Sequence, residues 1–574
     1  MIFDSLFKKE TKVIPGKIQP VVLMVLDGWG IAPDSPGNAI TQAKTPNYNN
    51  LMTNYPHGQL IASGESVGLP ANEVGNTEVG HLNLAAGRTI PQDLKRIDKA
   101  IEDGSFFENN SFYHAVNHTK KFNSNLHIMG LVSSGNVHSS LSHLFALLDF
   151  CKRTGTRNVF LHLFTDGRDA PTEEGLSIIQ KIEEYLKAGN PGRIATISGR
   201  YWAMDRDKRW ERTKKAYDAI VKGVGVNAAS AEEAIKAAYV KDQTDEFIEP
   251  SVISGGTKVQ DNDSVIFFNF RIDRPRQLTM AFVVGDFEKS NLSWEFDPYA
   301  VKYEAKEQGK AEILKREPFS GRVVLKNIYF VTMTQYQKNL PVSEVAFPPL
   351  EIQDNLPVIL SRAGIKQMHM SESEKERFVT YYFDGLREQR LLGEDTLIVP
   401  SPNVATYDKK PEMSIWQLTD EFKKTLNKDM YKFILINIAN PDMVAHSGNL
   451  KASIEAIEIV DKALGEFVNS ILTCNGTLIV TADHGNAEEL ITYTNTSYYF
   501  SSAEGTVNTD HSNYPVPVII ASKALQKANK FLGNGTLGDI APTILKMFNL
   551  EIPPVMTGKN LLVLNKQSLS LQDK

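Results

Sequence analysis

Nearly continuous apolar runs, rather than alternating ones, mark the predicted strands of this chain. Four such runs, each with an acidic residue or a histidine nearby, cover residues 21–26, 433–438, 477–482 and 516–521. Runs of this length without polar alternation are typical of parallel strands buried on both faces. The pattern therefore predicts an α/β domain with a mostly parallel central sheet.

The predicted sheet is split along the chain, because its first run is N-terminal and the others are C-terminal. Between them, residues 126–132 and 159–164 also have the pattern of buried strands, and residues 173–187 are amphipathic. The middle segment is thus predicted to be a second α/β domain inserted into the first. The predicted bounds are 18–91 and 335–564 for the first domain, 92–334 for the inserted domain, 1–17 for an N-terminal extension, 288–326 for a charged surface excursion and 565–574 for a polar tail.

The composition is close to that of an average globular protein, with 42% hydrophobic residues, 23% charged residues and a net charge of -6. An acidic chain argues against a general nucleic-acid binder, which needs a cationic face. Two cysteines, Cys151 and Cys474, are too few for a disulfide framework, and we find neither a signal-peptide pattern nor a run of about 20 apolar residues. We therefore expect a cytoplasmic protein with no membrane or nucleic-acid partner.

Six side chains near the ends of the first domain's predicted strands are potential metal ligands. They are Asp27, Asp442, His446, Asp483, His484 and His511. A single acid after a strand is more often a turn or capping residue, but in an open α/β sheet the carboxyl ends of the strands meet at one edge. Asp442 and His446 are one helical turn apart and can face one ion, whereas Asp483 and His484 are adjacent and can serve two.

The mixture of carboxylate and imidazole donors favours borderline divalent ions such as Mn²⁺ or Zn²⁺. The absence of a nearby cysteine disfavours a structural zinc site. Two ions a few ångströms apart can stabilise both the attacking and the leaving oxygen of an in-line phosphoryl transfer. The sequence therefore predicts a two-metal site that acts on a phosphate ester.

The segment Gly75-Asn76-Thr77-Glu78-Val79-Gly80-His81 contains a candidate nucleophile. A glycine turn that feeds a helix places the Thr77 hydroxyl at a helix N-terminus, where the dipole and the free amides favour an alkoxide and a bound phosphate. The simpler alternative is that Thr77 only caps the helix. Beside a two-metal site we prefer the nucleophile, because metal coordination activates a hydroxyl at neutral pH.

Arginines cluster in the predicted inserted domain. They occur in Asp166-Gly167-Arg168-Asp169, in Gly199-Arg200 with Asp205-Arg206-Asp207, and in Arg271-Ile272-Asp273-Arg274. Arginine binds carboxylate and phosphate oxygens in pairs, so such a cluster in an acidic chain indicates a small, multiply anionic substrate. Surface salt bridges are the alternative interpretation of each arginine taken alone.

At these motifs the sequence closely resembles a known family, the cofactor-independent phosphoglycerate mutases of the alkaline phosphatase superfamily. The resemblance covers nearly the whole chain and includes Asp27-Gly28-Trp29-Gly30, Gly135-Asn136-Val137-His138-Ser139, Tyr201-Trp202-Ala203-Met204, Ser371-Glu372-Ser373-Glu374-Lys375 and Pro400-Ser401-Pro402. It implies an alkaline-phosphatase-like domain interrupted by an inserted domain. It also implies the glycolytic interconversion of 3-phosphoglycerate and 2-phosphoglycerate without a bisphosphoglycerate cofactor, through a phosphorylated residue of the enzyme.

The resemblance assigns a role to each candidate residue. One metal would be held by Asp442, His446 and His511, and the other by Asp27, Thr77, Asp483 and His484. Thr77 would accept the phosphoryl group, Lys375 would stabilise it, and Asp169 would be the acid and base for the substrate hydroxyls. The substrate would be bound by His138, Arg168, Asp169, Arg200, Arg206, Arg271, Arg274 and Lys375. We expect two divalent ions, Mn²⁺ first and Zn²⁺, Co²⁺ or Mg²⁺ as alternatives, in a monomeric chain.

The sequence departs from the family pattern in four places. Threonine stands at position 77 where the family usually has serine, which would give phosphothreonine. Glu376-Arg377-Phe378 replaces an aromatic residue and a histidine, Asp384-Gly385-Leu386 replaces an Asn-Gly-Gly pattern, and the excursion before Lys326 is longer than usual. All the predicted metal ligands are present. The alternatives are a metal-dependent phosphatase, sulfatase or phosphopentomutase of the same superfamily, or a non-catalytic descendant.

Overall fold

In the computed structural model the described residues are 19–285, 321–492, 505–527 and 531–562. The chain divides into two compact units, one comprising Met1–Pro91 and Leu350–Lys574 and the other Gln92–Pro349. The predicted N-terminal extension and tail, and residues 288–320 of the predicted excursion, lie outside the described residues. Among the helices that the structure describes, none is both long enough and apolar enough to cross a membrane.

The first unit is built on a sheet with eight strands in the described part of the chain. In order across the sheet these strands are Glu394–Val399, Gln367–Glu372, Phe433–Ile438, Val21–Leu26, Thr477–Thr481, Val516–Ala521, His57–Ile61 and Phe531–Thr536. Strand Val516–Ala521 is antiparallel to both of its neighbours, and the other neighbouring pairs are parallel. The predicted mostly parallel sheet is confirmed.

The three strands that lead to the predicted acids are neighbours. Val21–Leu26 lies between Phe433–Ile438 and Thr477–Thr481 and is fully buried, as its apolar sequence predicts. Leu26 is level with Ile438, and Val25 is level with Thr481. Because the strands are parallel and end almost level, the residues that follow them lie at one edge of the sheet.

Helices of the first unit connect the strands and bury their apolar faces in the same core as the sheet. The α-helices are Ala39–Gln42, Pro46–Asn54, Thr77–Ala86, Leu356–Arg362, Ile415–Asn427, Asn440–Ala445, Leu450–Thr473 and Ile540–Met547. The helix of 24 residues, Leu450–Thr473, buries Ile457, Val460, Leu464 and Phe467, which are spaced three or four apart. Short 3₁₀ or π turns lie at Gly64–Val67, Ser373–Lys375, Phe378–Tyr382, Tyr407–Lys409, Lys523–Leu525 and Leu537–Asp539, and Ile491–Thr492 pairs with Thr506–Val507.

The second unit is also α/β, with a sheet of eight strands among its described residues. Their order is Glu344–Phe347, Tyr329–Thr334, Ser264–Phe267, Leu126–Val132, Val159–Thr165, Arg193–Gly199, Ser251–Ile253 and Val226–Ala228. The last two run antiparallel to the other six. The α-helices are Asp93–Asp103, Asn110–Phe122, Leu141–Arg153, Gly175–Lys187, Arg200–Ala203, Trp210–Lys222, Ala231–Tyr239 and Pro275–Val283, with 3₁₀ turns at Ser105–Glu108 and Asp245–Phe247.

The second boundary of this unit differs from the predicted one. The sequence placed the return to the first domain at residue 335, but strand Glu344–Phe347 pairs with Tyr329–Thr334 as the edge of the second sheet. The unit therefore extends to Pro349. An edge strand this short is only partly buried and lacks the apolar run by which strands such as Leu126–Val132 and Val159–Thr165 were predicted.

A group of titratable side chains is buried near the amino ends of strands Gln367–Glu372 and Glu394–Val399. His369 Nδ1 lies 3.8 Å from Asp384 Oδ1 and 3.9 Å from Glu394 Oε1, and neither oxygen has a hydrogen-bond donor among the described residues. The same nitrogen donates to the Val379 carbonyl at 2.8 Å, so its lone pair is not free to bind a metal ion. Burial, with the Glu394 carboxylate close by, raises the pKa of Asp384 well above its ordinary value.

We expect Asp384→Asn to stabilise the chain at neutral pH by about 1–3 kcal/mol, because it removes a buried carboxyl group that must keep its proton. The folded chain holds this proton more tightly than the unfolded chain, in which the pKa is about 3.9. Wild-type stability should therefore fall as the pH rises above about 4, and the variant should lack that loss. Urea unfolding between pH 5 and pH 8 measures the difference.

Asp420→Asn, at an exposed position of the same unit, is the matched control. Equal pH dependence in Asp384→Asn and the wild type would contradict the protonated carboxyl. Loss of a bound divalent ion in Asp384→Asn would also contradict it.

Candidate active site

The structure brings the six predicted strand-end ligands together at the carboxyl edge of the first sheet. Asp27 directly follows strand Val21–Leu26, Asp442 and His446 lie in and just after helix Asn440–Ala445, Asp483 and His484 follow Thr477–Thr481, and His511 precedes Val516–Ala521. The three carboxylates and the ring of His484 are buried, whereas His446 and His511 are partly exposed. The side chains form two donor groups.

Asp442, His446 and His511 form the first donor group. The two Nε2 atoms are 3.2 Å apart and lie 3.1 Å and 3.4 Å from Asp442 Oδ1. Ligands at about 2.0–2.1 Å from a tetrahedral ion are about 3.3 Å from one another, so these separations fit one ion. His446 Nδ1 donates to the Thr509 carbonyl and His511 Nδ1 to the Gly75 carbonyl, which turns the Nε2 lone pairs toward that position.

The second donor group is centred on His484. Its Nε2 lies 2.9 Å from Thr77 Oγ1, 3.4 Å from Asp27 Oδ1 and 3.7 Å from Asp483 Oδ2. Nδ1 of the same ring donates to the Gly485 carbonyl at 3.2 Å, which directs Nε2 toward these oxygens. The group offers two carboxylates, one imidazole and one hydroxyl, a donor set that suits a divalent ion.

The charges of the site also fit bound cations. Asp27, Asp442 and Asp483 are buried together, and Lys375 Nζ donates to Asp27 at 2.8 Å and to Asp442 at 2.7 Å. Burial alone would lower the pKa of His484, but the Asp483 and Asp27 carboxylates raise it to about 9. Burial would also lower the pKa of Lys375, but the three carboxylates raise it instead. The site therefore has a strongly negative potential that divalent ions would neutralise.

Thr77 is the first residue of a ten-residue helix, and its hydroxyl faces the donor groups. The cap is provided by Asn76, whose side chain accepts from the Val79 amide at 2.9 Å. The alternative that Thr77 serves only as the cap is therefore excluded. Thr77 Oγ1 lies 2.9 Å from His484 Nε2 and 3.2 Å from Lys375 Nζ, and the side chain is buried.

Two amides that the sequence prediction did not include support the carboxylates. Asn437 Nδ2 donates to Asp27 Oδ2 and Asn486 Nδ2 donates to Asp442 Oδ1, each at 2.7 Å. Asn437 is the polar residue that interrupts the apolar run 433–438, and this interruption could have marked it as a site residue.

His81 is a third residue that the prediction missed. Its Nδ1 donates to the Thr77 carbonyl at 2.9 Å and lies 3.2 Å from Asp483 Oδ2, while its Nε2 accepts from Asn437 at 3.1 Å. It lies beside Asp27 and Asp483, but with both ring nitrogens in hydrogen bonds it supports these carboxylates rather than offering a lone pair to a cation. Its position one helical turn after Thr77 was the available signal.

The second unit gathers the predicted arginines around aspartates. Arg200 is buried, donates to Asp166 Oδ1 at 2.7 Å, forms a short contact with Asp169, and donates to His138 Nε2 at 2.9 Å. The His138 ring, whose Nε2 lies 3.4 Å from Asp169 Oδ2, and the Arg200 guanidinium hold the pKa of Asp169 well below its usual value, despite its partial burial. Asp169 is therefore an ionised carboxylate at neutral pH.

Arg206, Arg271 and Arg274 lie around Asp273. Arg206 donates to Asp273 Oδ2 at 2.8 Å, and Arg271 Nε is 3.4 Å from Asp273 Oδ1. Arg274 donates to the Met204 carbonyl at 3.2 Å, and burial and neighbouring arginines lower its pKa to about 10. Repulsion between these guanidinium groups would be relieved by an anionic ligand.

Arg168 is the most exposed of the predicted substrate residues. Its side chain is 56% exposed and lies 3.4 Å from Glu246. It is near enough to add to the positive charge around Arg274. The structure thus places Arg168 at the periphery of the arginine cluster.

Two family models match the chain. The model described as "BPG-independent PGAM N-terminus" matches residues 97–338. The model described as "Sulfatase" matches residues 320–550.

Close relatives match over nearly the whole chain. The 2,3-bisphosphoglycerate-independent phosphoglycerate mutase of Moorella thermoacetica is 45% identical, covering 95% of this chain and 98% of the relative. The enzyme of the same name from Clostridium beijerinckii is 44% identical over 95% of this chain and 99% of its own length. A solved structure of Leishmania mexicana phosphoglycerate mutase at low cobalt concentration is 28% identical, with a TM-score of 0.62 over 94% of this chain and 97% of that one.

Proposed function

The chain belongs to the enzyme family of 2,3-bisphosphoglycerate-independent phosphoglycerate mutases, and we propose that it interconverts 3-phosphoglycerate and 2-phosphoglycerate through a phosphorylated Thr77. The observation that carries the proposal is the position of Thr77 Oγ1, which is buried among metal-ligand side chains and lies 3.2 Å from Lys375 Nζ. Because the phosphoryl group stays on the protein between the two half-reactions, no bisphosphoglycerate is required.

The family and its alkaline-phosphatase-like fold imply divalent metal ions. Asp442, His446 and His511 would hold one ion, and Asp27, Thr77, Asp483 and His484 the other. When bound, the ions would stabilise negative charge on the attacking and leaving oxygens of the transfer. The tetrahedral spacing of the first donor group supports this assignment.

Thr77 and Lys375 would carry out the transfer. In the first half-reaction a new bond forms between Thr77 Oγ1 and phosphorus while the bond from phosphorus to the substrate oxygen breaks, and the proton that Thr77 gives up is matched by the one that the departing glycerate oxygen takes up. Lys375 is a buried ammonium group within hydrogen-bonding distance of Oγ1, so it can donate to the phosphoryl oxygens as their charge develops. In the second half-reaction the other hydroxyl of glycerate attacks phosphothreonine and regenerates Thr77.

The second unit carries the residues that would bind the anionic groups of the substrate. Arg200, Arg206, Arg271 and Arg274 would bind the carboxylate and phosphate oxygens, with Arg168 at their periphery and His138 orienting Asp169. Since Asp169 is ionised at neutral pH, it can hydrogen-bond the glycerate hydroxyls and, in the second half-reaction, accept the proton of the hydroxyl that attacks, while Thr77 regains a proton as it departs.

A phosphatase, sulfatase or phosphopentomutase would need the same metal ligands, so the first unit does not discriminate among them. The arginine cluster favours the mutase, because it lies in the region that matches the family model of the mutase N-terminus. A phosphatase would release inorganic phosphate, whereas a mutase keeps the phosphoryl group on its own product.

Of the available divalent ions, we propose Mn²⁺. Three imidazole nitrogens, from His446, His484 and His511, favour a softer ion than Mg²⁺, and Zn²⁺ and Co²⁺ are the alternatives. Neither Cys151 nor Cys474 forms a disulfide, which fits a reducing compartment, and we propose that the chain works in the cytoplasm as a monomer.

The function predicts conversion of 3-phosphoglycerate to 2-phosphoglycerate at a rate that added 2,3-bisphosphoglycerate does not change. A coupled assay through enolase measures the product, and a phosphate assay on the same samples measures hydrolysis. Strict dependence on 2,3-bisphosphoglycerate, or phosphate release that equals substrate loss, would contradict the proposed function.

Chelation should abolish the activity, and Mn²⁺ should restore it at lower concentration than Mg²⁺, because of the imidazole ligands. The measurement is activity after dialysis against EDTA, followed by titration with each ion. Full activity in excess EDTA would contradict the metal assignment. Better recovery of activity with Mg²⁺ would contradict the choice of Mn²⁺.

Arg274→Ala should lower kcat/KM for 3-phosphoglycerate by roughly 30- to 1000-fold, since losing one buried charged contact costs about 2–4 kcal/mol. The content of bound metal should not change, because the ligands belong to the other unit. Arg157→Ala, at an exposed position of the same unit, is the matched control and should behave as wild type. Wild-type kinetics in Arg274→Ala would remove this residue from the site.

Thr77→Ala should lose at least about 1000-fold in kcat, because the covalent route disappears. Thr77→Ser should stay active, since it keeps the hydroxyl and removes only a methyl group. Steady-state kinetics of both variants test the role of the oxygen. A fully active Thr77→Ala would show that another group accepts the phosphoryl group.

A further inference from the structure

Glu488 is a buried carboxylate outside the predicted ligand set, and it joins its own loop, which follows His484, to two other loops of the site. Its Oε2 accepts hydrogen bonds from the backbone amides of Gly30 and Asn486, each at 2.9 Å. Its Oε1 accepts a short hydrogen bond from the Ser512 hydroxyl. The residue is only 1% exposed, so these protein groups take the place of water around its carboxylate.

Each of the three contacts holds a segment that bears a metal-ligand side chain. Gly30 comes shortly after Asp27, Asn486 shortly after His484, and Ser512 directly after His511. These segments are far apart in the sequence and include ligands of both donor groups. The position of the Glu488 carboxylate is thus linked to the spacing of the side chains in both donor groups.

Gly30 and Gly485 pack directly against the Glu488 carboxylate. A Cβ added at Gly30 would lie 2.2 Å from Glu488 Cδ, and one added at Gly485 would lie 2.2 Å from Glu488 Oε1. Both distances are far below van der Waals contact, so a side chain at either position would displace the carboxylate. The position of the Glu488 carboxylate therefore depends on glycine at positions 30 and 485.

We propose that Glu488 is a positioning residue that sets the spacing of the ligands in both metal sites, an inference that rests on the proposed function. Without its carboxylate, two buried backbone amides lose their acceptor, and each such loss is costly enough to move the loops. Groups that orient metal ligands without touching the metal typically contribute about 10- to 100-fold to metal affinity.

The test is Mn²⁺ binding to the full-length chain after removal of metal by chelation, followed by calorimetric titration. Glu488→Ala should weaken Mn²⁺ binding about 10- to 100-fold. The Mn²⁺ concentration for half-maximal mutase activity should rise by a similar factor, while kcat at saturating Mn²⁺ stays near wild type. This separation distinguishes positioning from a direct role in the chemistry.

Glu488→Gln is the conservative variant. Its amide oxygen can accept from the two backbone amides and its NH₂ group can donate to the Ser512 hydroxyl, so it should keep affinity close to wild type. Loss of binding in Glu488→Gln as severe as in Glu488→Ala would mean that charge, rather than these hydrogen bonds, is what matters, and would overturn the inference.

Asp461→Ala is the matched control. Asp461 is likewise buried and accepts from two backbone amides, those of Asn47 at 3.1 Å and Tyr48 at 2.7 Å, but it joins two helices that carry no ligand. This control variant should have a lower melting temperature than the wild type. Its affinity for Mn²⁺ should equal that of the wild type. Equal loss of Mn²⁺ affinity in Asp461→Ala would show a general loss of stability and overturn the inference.

If Glu488→Ala does not fold, Ser512→Ala removes only one of the three contacts and should still weaken Mn²⁺ binding by a few-fold; unchanged binding would then count against the inference. Wild-type affinity in a folded Glu488→Ala would overturn the inference and leave the proposed function intact. A wild-type chain that binds no Mn²⁺ would instead contradict the proposed metal site itself.

Discussion

Three carboxylates buried side by side, on Asp27, Asp442 and Asp483, are the constraint on which the site depends. Charges in such a place are tolerated only when they are paired or bind metal. Lys375 supplies one positive charge, at 2.7–2.8 Å from two of them. The amides of Asn437 and Asn486 each donate a hydrogen bond to one of these carboxylates, and bound divalent ions would neutralise the charge that remains.

The fold meets this constraint by bringing backbone segments unusually close together. At Gly28, with φ at +73°, a Cβ would lie 2.8 Å from Asp442 Cβ, and at Gly80 a Cβ would lie 2.5 Å from Asp483 Cβ. Gly28 lets the loop after strand Val21–Leu26 pass close to Asp442. Gly80 lets the helix that begins at Thr77 approach Asp483, so that the threonine hydroxyl reaches His484 and Lys375.

Much of this arrangement could be predicted from sequence, because parallel strands that end in acids must present them at one edge. Asp27, Asp442 and Asp483 were found in this way. Asn437 and His81 were missed although each had a local signal, whereas Glu488 was missed because its partners Gly30 and Ser512 come from distant segments and no local pattern indicates it. Strand Glu344–Phe347 was missed for a different reason, because an edge strand needs no continuous apolar run. The family resemblance supplied the roles of Lys375 and Asp169, which spacing alone does not indicate.

Passage of the phosphoryl group through Thr77 can be tested by trapping the phosphorylated residue during turnover. The wild-type chain is mixed with 3-phosphoglycerate and Mn²⁺, stopped with acid within one turnover, digested, and its peptides are mapped by mass spectrometry. The account predicts phosphate on Thr77 in the peptide that begins the helix, and its disappearance when the reaction is repeated with Thr77→Ala. An active wild-type enzyme that carries no phosphate on Thr77 at any time in the turnover would contradict it.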